Sequence, residues 1–172
     1  MSADEILTYN TPKQGNVTYI PISAKAGSLA ELAEQPHRED FISFNIPIFN
    51  DNNLYMMDVD GDSMYDTISH GDHLIIKQVE DSHVRFGEIY VIDAVDGRVT
   101  KRIYRHSEKN HFILKSDNET YQPYDIHRKD IFSLWHVKGV VSRNLTRRNL
   151  LAKRLQMLEE NITVLSRNIK SK

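Results

Sequence analysis

The chain has 172 residues, 40% hydrophobic and 27% charged, with a formal net charge of -2 and no cysteine. That length gives one domain with a real core and room for an appendage, and the composition excludes a disordered chain. The missing cysteines exclude disulfides, zinc–thiolate sites and a cysteine nucleophile, and they fit a reducing compartment.

Residues 1–16 are polar and read as a linker or arm. They have neither a basic start nor an apolar core, so they are not a secretory signal, and no later apolar run is long enough to span a bilayer. The expected location is the cytoplasm. "VTYIPI" (residues 17–22) is β-rich, with Pro21 marking an edge or a strand end. "SAKAGSLAELAEQPHRED" then reads as an exposed loop, with a short helix near residues 29–34. "FISFNIPIF", "NLYMMDVDG" and "HLIIKQV" are strand-like. In "GEIYVIDAVDGRVTKRIYRH" two β-patterned runs flank Asp96-Gly97, and Asp-Gly at a two-residue connection predicts a type I′ hairpin with positive φ at both positions. "HFILKSDN", "YQPYDI" and "FSLWHVKGVVSR" give further strands, and strands in series predict an all-β body.

The last segment changes period. Leu151, Leu155, Leu158, Ile162, Leu165 and Ile169 are spaced 4, 3, 4, 3, 4, which is a heptad seam on a helix. Leu155, Ile162 and Ile169 take the a position and Leu151, Leu158 and Leu165 take d, a pattern that favours a two-stranded parallel coil. The bland alternative is an amphipathic helix folded back on the chain's own sheet. From Arg143 onward eight Lys/Arg face two Glu, so this tail carries +6 and the rest of the chain -8. An acidic body argues against nonspecific nucleic-acid binding by the body itself.

The chemistry concentrates in "VDGDSMYDTISHGD". Ser63 by itself is an ordinary turn serine, because a hydroxyl is a poor nucleophile until a base takes its proton. None of the eight histidines sits in a recognisable triad pattern, and no ligand cluster appears at metal spacing. Lys101 is the candidate base. It lies between Val99 and Ile103, and strand alternation puts all three on one face of the hairpin. A lysine on an apolar face marks an edge or is buried for a reason, and burial favours its neutral form. Trp135 and the tyrosines read as packing residues.

In order, Gly-Asp-Ser-Met, a Gly-Asp soon after, a Gly-Glu opening a hairpin, Lys-Arg on its return strand and an Asn-x-x-Tyr segment resemble the LexA-like self-cleaving serine peptidases. That group includes LexA, phage repressors and UmuD and is related to signal peptidases. The resemblance covers roughly residues 17–141. It implies a LexA/signal-peptidase-like, mainly-β body with Ser63 as nucleophile and Lys101 as general base; the heptad segment adds a C-terminal amphipathic helix, and no cofactor or metal is expected. The resemblance further implies a self-cleavage bond upstream of the serine, for which "ISAKAG" supplies Ala26-Gly27, and an oxyanion held by the backbone N–H of Ser63. A flexible loop that is never cut is the alternative for Ala26-Gly27. The pattern departs at Asp66, where the family has proline, which predicts a less rigid serine turn.

The domain reading is therefore an arm over residues 1–16, a peptidase domain over 17–142 with a cleavage loop at about 23–40, and a candidate coiled coil over 143–172. The resemblance implies the regulatory half of a phage-type or stress-response repressor, a homodimer, with the RecA filament as co-protease. DNA would be reached only through a helix-turn-helix, for which sixteen residues before "VTYIPI" are too few. Two alternatives stand beside this: a UmuD-like polymerase accessory, and a degenerate member that only dimerises.

Overall fold

The computed structural model describes residues 15–20, 29, 41–143, 154–163 and 166. These fall into two units divided between Val141 and Ser142. In the first, nine strands are described: β1 (Val17–Ile20), β2 (Ser43–Phe44), β3 (Leu54–Asp58), β4 (His73–Val79), β5 (Ile89–Ala94), β6 (Gly97–Arg105), β7 (His111–Lys115), β8 (Tyr124–His127) and β9 (Ile131–Val141). They form one sheet in the order β2-β1-β3-β4-β9-β5-β6-β7-β8. Only the β1–β3 pair is parallel. The expectation of a mainly-β body with a C-terminal helix holds.

Strand β9 joins the two halves of the sheet. Its eleven residues pair with β4 on one side, from His73↔Val141 to Val79↔Leu134, and with β5 on the other, from Tyr90↔His136 to Ala94↔Ile131. The middle of β4 is buried on both faces. On β4, Leu74 and Ile76 pack with Val91 and Trp135, while Ile75 points the other way to Val17 and Leu54. Trp135 is fully buried and meets the Tyr55 ring edge-on at 5.4 Å, so its role is core packing.

Two sequence expectations need correction. Of residues 41–49 only Ser43–Phe44 is strand. The stretch after it is organised by Asn16, whose Nδ2 donates to the carbonyls of Ile46 (3.1 Å) and Phe49 (2.6 Å) while its Oδ1 accepts from the Ile46 N–H (2.9 Å). Pro47 lies within this stretch and cannot donate to a ladder, and Ile48 is 82% exposed. In the hairpin, Ala94 pairs with Gly97, so the connecting residues are Val95 and Asp96 rather than Asp96 and Gly97. Gly97 has φ +113°, whereas Asp96 does not have positive φ, and a type I′ turn needs both. The glycine alone takes the conformation that a side chain would oppose. Alternation along β6 is untouched by this change, and Lys101 and Ile103 both point inward.

The second unit contains a helix over residues 154–163. Leu155, Leu158 and Ile162 lie on it at the spacing of one face, and all three are exposed. Leu151, Leu165 and Ile169 lie outside the described residues. Among the described residues no helix is long and apolar enough to cross a membrane.

Candidate active site

Ser63 sits in the connection between β3 and β4. The base of this connection is closed by backbone bonds from the Val59 N–H to the Asp72 carbonyl (2.8 Å) and from the Gly71 N–H to the Val59 carbonyl (3.0 Å). Its tip folds on itself through the Tyr65 N–H to the Asp62 carbonyl (3.0 Å) and the Ile68 N–H to the Met64 carbonyl (2.8 Å). Met64 and Ile68 then plug the turn into the core beside Trp135 and Leu29. A methionine beside the serine is thus an anchor: burying it fixes the turn and leaves Ser63 half-buried at the surface. At Asp66, where the pattern departs from the family's proline, the Tyr65–Asp66 peptide is cis.

Lys101 reaches the same place from β6. It is only 7% exposed. Among the described residues no hydrogen-bond acceptor meets its amine, and its Nζ lies 5.4 Å from the centre of the Tyr121 ring. Burial pulls its pKa below the ordinary lysine value, and the charge of Asp62 pulls the other way.

The segment after β7 ties the two together. The Asn118 N–H donates to the Ser63 carbonyl (3.0 Å), and its Nδ2 donates to the Asp62 carbonyl (3.1 Å). The Tyr121 hydroxyl donates to Asp62 Oδ1 at 2.6 Å. Arg102, next to Lys101 but pointing away from it, grips Asp117 with a two-pronged fork, Nε to Oδ1 at 2.6 Å and Nη2 to Oδ2 at 2.9 Å. Burial alone would raise the Asp117 carboxyl, but the hydrogen bonds from Arg102 and Thr67 bring it below the usual carboxylate range. Thr67 belongs to the serine turn, so Asp117 bonds both sides of the site.

The result is a cavity of about 620 Å³ lined by Ser63, Lys101, Asp62, Tyr121, Asp93 and Met64, among others. Both residues singled out in the sequence for catalysis meet there. Ala26 and Gly27 lie outside the described residues. His70 and His73 do not line the cavity: His70 is exposed beside Asp60, and His73 Nδ1 bonds Asp58 Oδ1 at 2.6 Å. Asn118 and Tyr121 belong to the Asn-x-x-Tyr pattern, but nothing in the sequence alone assigns them the hold on Asp62 and Ser63. Asp93 goes unremarked in the sequence reading, although a carboxylate inside "IYVIDA" is the same signal that marks Lys101.

Away from the cavity, ligand atoms of His106, Glu108 and His111 lie within 4.8 Å of one another at the β6–β7 turn. The expectation of no cluster at ligand spacing is corrected here: the three residues lie close together in the sequence, and the turn after β6 folds their side chains toward one another. The turn already uses His106, whose Nδ1 accepts the Glu108 N–H (2.9 Å) and whose Nε2 faces Asp125 (3.5 Å), whereas His111 Nδ1 lies 3.0 Å from the Glu108 carboxylate but makes no hydrogen bond among the described residues.

A mainly-β body that brings a Gly-Asp-Ser-Met turn and a buried hairpin lysine to one cavity is a LexA-like body. The family model described as Peptidase S24-like matches residues 18–142, most of the chain, and the chain belongs to that family. It is similar to the LexA repressor of an Exiguobacterium species, 33% identical over 112 residues that cover 62% of this chain and 53% of that protein. It is also similar to the LexA repressors of Listeria welshimeri, 32% identical over 113 residues (63% and 52%), and Desulfitobacterium hafniense, 29% identical over 123 residues (71% and 57%). The chain spans about half the length of these relatives.

Lys101 should titrate below the 10.5 of an open lysine, and Asp62→Asn should move it lower still, since the carboxylate is what favours its charged form. Carbon-13 NMR of the lysine side chains, read against pH in the Ser63→Ala protein, measures both. An unshifted Lys101, or an upward move in Asp62→Asn, would contradict the burial argument.

Proposed function

We propose that the chain is the autoproteolytic domain of a LexA-type repressor, in which Ser63 and Lys101 cut the Ala26–Gly27 bond. The observation that carries this reading is the half-buried serine and the buried amine, without a hydrogen-bond acceptor among the described residues, on the walls of one cavity. In its neutral form the Lys101 amine takes the Ser63 Oγ proton as Oγ attacks the Ala26 carbonyl carbon. The tetrahedral oxyanion is held by the Ser63 N–H, for which the described residues supply no acceptor. Collapse breaks the C–N bond, and the lysine's proton passes to the Gly27 nitrogen, leaving an ester between Ala26 and Ser63. Water, losing a proton to the neutral amine, then attacks that ester, and the proton returns to Oγ as it leaves.

Asn118 and Tyr121 keep the serine turn against the lysine through this cycle. Delivery of the bond by the chain itself replaces capture of a separate substrate, so a slow site suffices. In this reading the cut breaks the covalent link ahead of Gly27, after which β1, which lies before the bond, is held to the β body only by its pairing with β2 and β3 and by its core contacts. DNA enters only through a helix-turn-helix domain joined to this chain, and the RecA filament is the activating partner.

Because the base is a neutral amine with a lowered pKa, cleavage should speed up as pH rises through the Lys101 titration. Intact-mass measurement after incubation at rising pH should find two products, joined at Ala26–Gly27. Ser63→Ala and Lys101→Ala should each slow cleavage by roughly 10³-fold or more, and the double variant should be no worse, since the pair acts as a unit. His70→Ala and His73→Ala should cut normally. Retention of cleavage in Lys101→Ala would assign the base to another group.

The exposed Leu155, Leu158 and Ile162 support a second part of the proposal, a homodimer joined through its C-terminal helices. About three heptads are marginal in isolation, so the coil needs help from another contact between the same two chains. An aspartate in the seam costs several kcal/mol, roughly enough to open such a coil. Light scattering over a dilution series should therefore find Leu158→Asp dissociating at concentrations where the parent chain is dimeric. Unfolding of the β body in Leu158→Asp, with a monomeric parent, would remove the coiled coil.

A further inference from the structure

Leu29 lies two residues beyond Gly27 in the sequence, and it is a helical residue within a segment that the sequence reads as an exposed loop with a short helix. It is fully buried, packed with Met64, Ile68, Val59 and Ile20, the residues that seat the serine turn. Its backbone N–H donates to Asp93 Oδ2 at 2.7 Å. Asp93 is 4% exposed and lines the cavity with Ser63 and Lys101. The rest of its carboxylate is occupied. Arg98 Nε donates to Oδ1 at 2.6 Å, and the Ser133 hydroxyl donates to Oδ2 at 2.8 Å. Ser133 is itself fixed by the Trp135 indole N–H at 2.8 Å. A buried carboxylate in a hydrophobic strand needs such donors, and here one of them is the main chain of the segment that follows the bond to be cut.

We infer that Asp93, held by Arg98 and Ser133, forms with the apolar pocket around Met64 a binding subsite for the chain just past the scissile bond. It reads one main-chain N–H and one leucine-sized side chain. Two residues extend at most about 7 Å, so a chain fixed at Leu29 carries the bond before it on a short tether. Leu29 stays covalently on the β body after the cut, so the subsite orients the bond without having to release a product. The cavity wall and the core meet at this point: Leu29 shares a buried cluster with Met64, which lines the cavity next to Ser63. Asp93 touches neither reacting atom and is a positioning residue. The inference rests on the self-cleavage reading for its purpose, but the contact itself is independent of cleavage.

The test uses the full chain. In the uncleavable Ser63→Ala protein, hydrogen exchange at the Leu29 amide should be slow, and adding Asp93→Asn should speed it. With Ser63 intact, Asp93→Asn and Leu29→Ala should each lower the plateau rate of self-cleavage at alkaline pH by roughly 10- to 100-fold. The pH midpoint should stay where it is in Asp93→Asn, because the shift at Lys101 comes from burial and Asp62 and not from Asp93. That unchanged midpoint separates lost positioning from a damaged Ser63–Lys101 pair. Wild-type rates in both variants would overturn the inference, as would a fast-exchanging Leu29 amide. A midpoint that moves with the rate in Asp93→Asn would also overturn it, by making Asp93 part of the lysine's environment. If the parent chain cuts at no pH, the dyad reading fails, and the subsite stands or falls on the exchange result.

Discussion

The burial of one amine organises this site. Lys101 is placed on the inward face of β6 by simple alternation, between Val99 and Ile103, and the turn carrying Ser63 lines the same cavity. Water is thereby removed from an ammonium that gains no hydrogen bond from the described residues in return. The linkage follows directly. A lysine whose folded pKa lies below its unfolded value binds its proton less well in the folded chain. The penalty is fully present below the folded pKa, and it is lifted as pH rises from there toward 10.5. The same depression that weakens the fold at neutral pH raises the share of neutral amine at any given pH. Asp62 moderates it, since its carboxylate favours the charged form, and the Tyr121 hydroxyl occupies one of the Asp62 oxygens.

Everything else in the site keeps this amine and the serine turn in register. Three strand connections converge: the β3–β4 turn that carries Ser63, the β5–β6 hairpin that carries Lys101, and the stretch after β7 that carries Asn118 and Tyr121. Hydrogen bonds from the third to the first fix the turn, and the Arg102–Asp117 fork fixes the third to the second. A fork between a guanidinium and a carboxylate is directional, so it restrains orientation as well as distance. On the other side of the cavity Asp93, Ser133 and Trp135 form a buried polar chain that ends at Leu29. Self-cleavage on this scaffold would depend more on delivering the bond than on recognising a foreign substrate.

Much of the arrangement was legible in the sequence, for identifiable reasons. Strand alternation and one lysine on an apolar face point to Lys101, and the ordered motifs single out Ser63. The strands from residue 73 onward match their β-patterned runs closely, because central strands carry strong period-two or continuous apolar signals. Residues 41–49 carry the same signal and yet form a strand of two residues, since Asn16, some thirty positions away, takes the carbonyls a ladder would use. The hairpin existed as expected but closed one residue earlier, a choice between turn types that one Asp-Gly pair does not decide. Asn118 and Tyr121 acquire their roles through Asp62, 56 and 59 positions away, and Asp93 through Ser133 and Leu29, 40 and 64 positions away, with only Arg98 close by in sequence. Local pattern holds no record of such pairings.

The central claim is that the buried amine of Lys101 activates Ser63. It can be tested apart from any bond in the chain by covalent capture with a small fluorophosphonate, which reports the nucleophilicity of a serine hydroxyl. Peptide mapping by mass spectrometry, over a range of pH and in both the parent and Lys101→Ala chains, gives the site and rate of phosphonylation. The account predicts an adduct at Ser63, formed faster as pH rises and nearly absent in Lys101→Ala. Labelling of Ser63 at the same rate in both chains, or at a rate independent of pH, would contradict it.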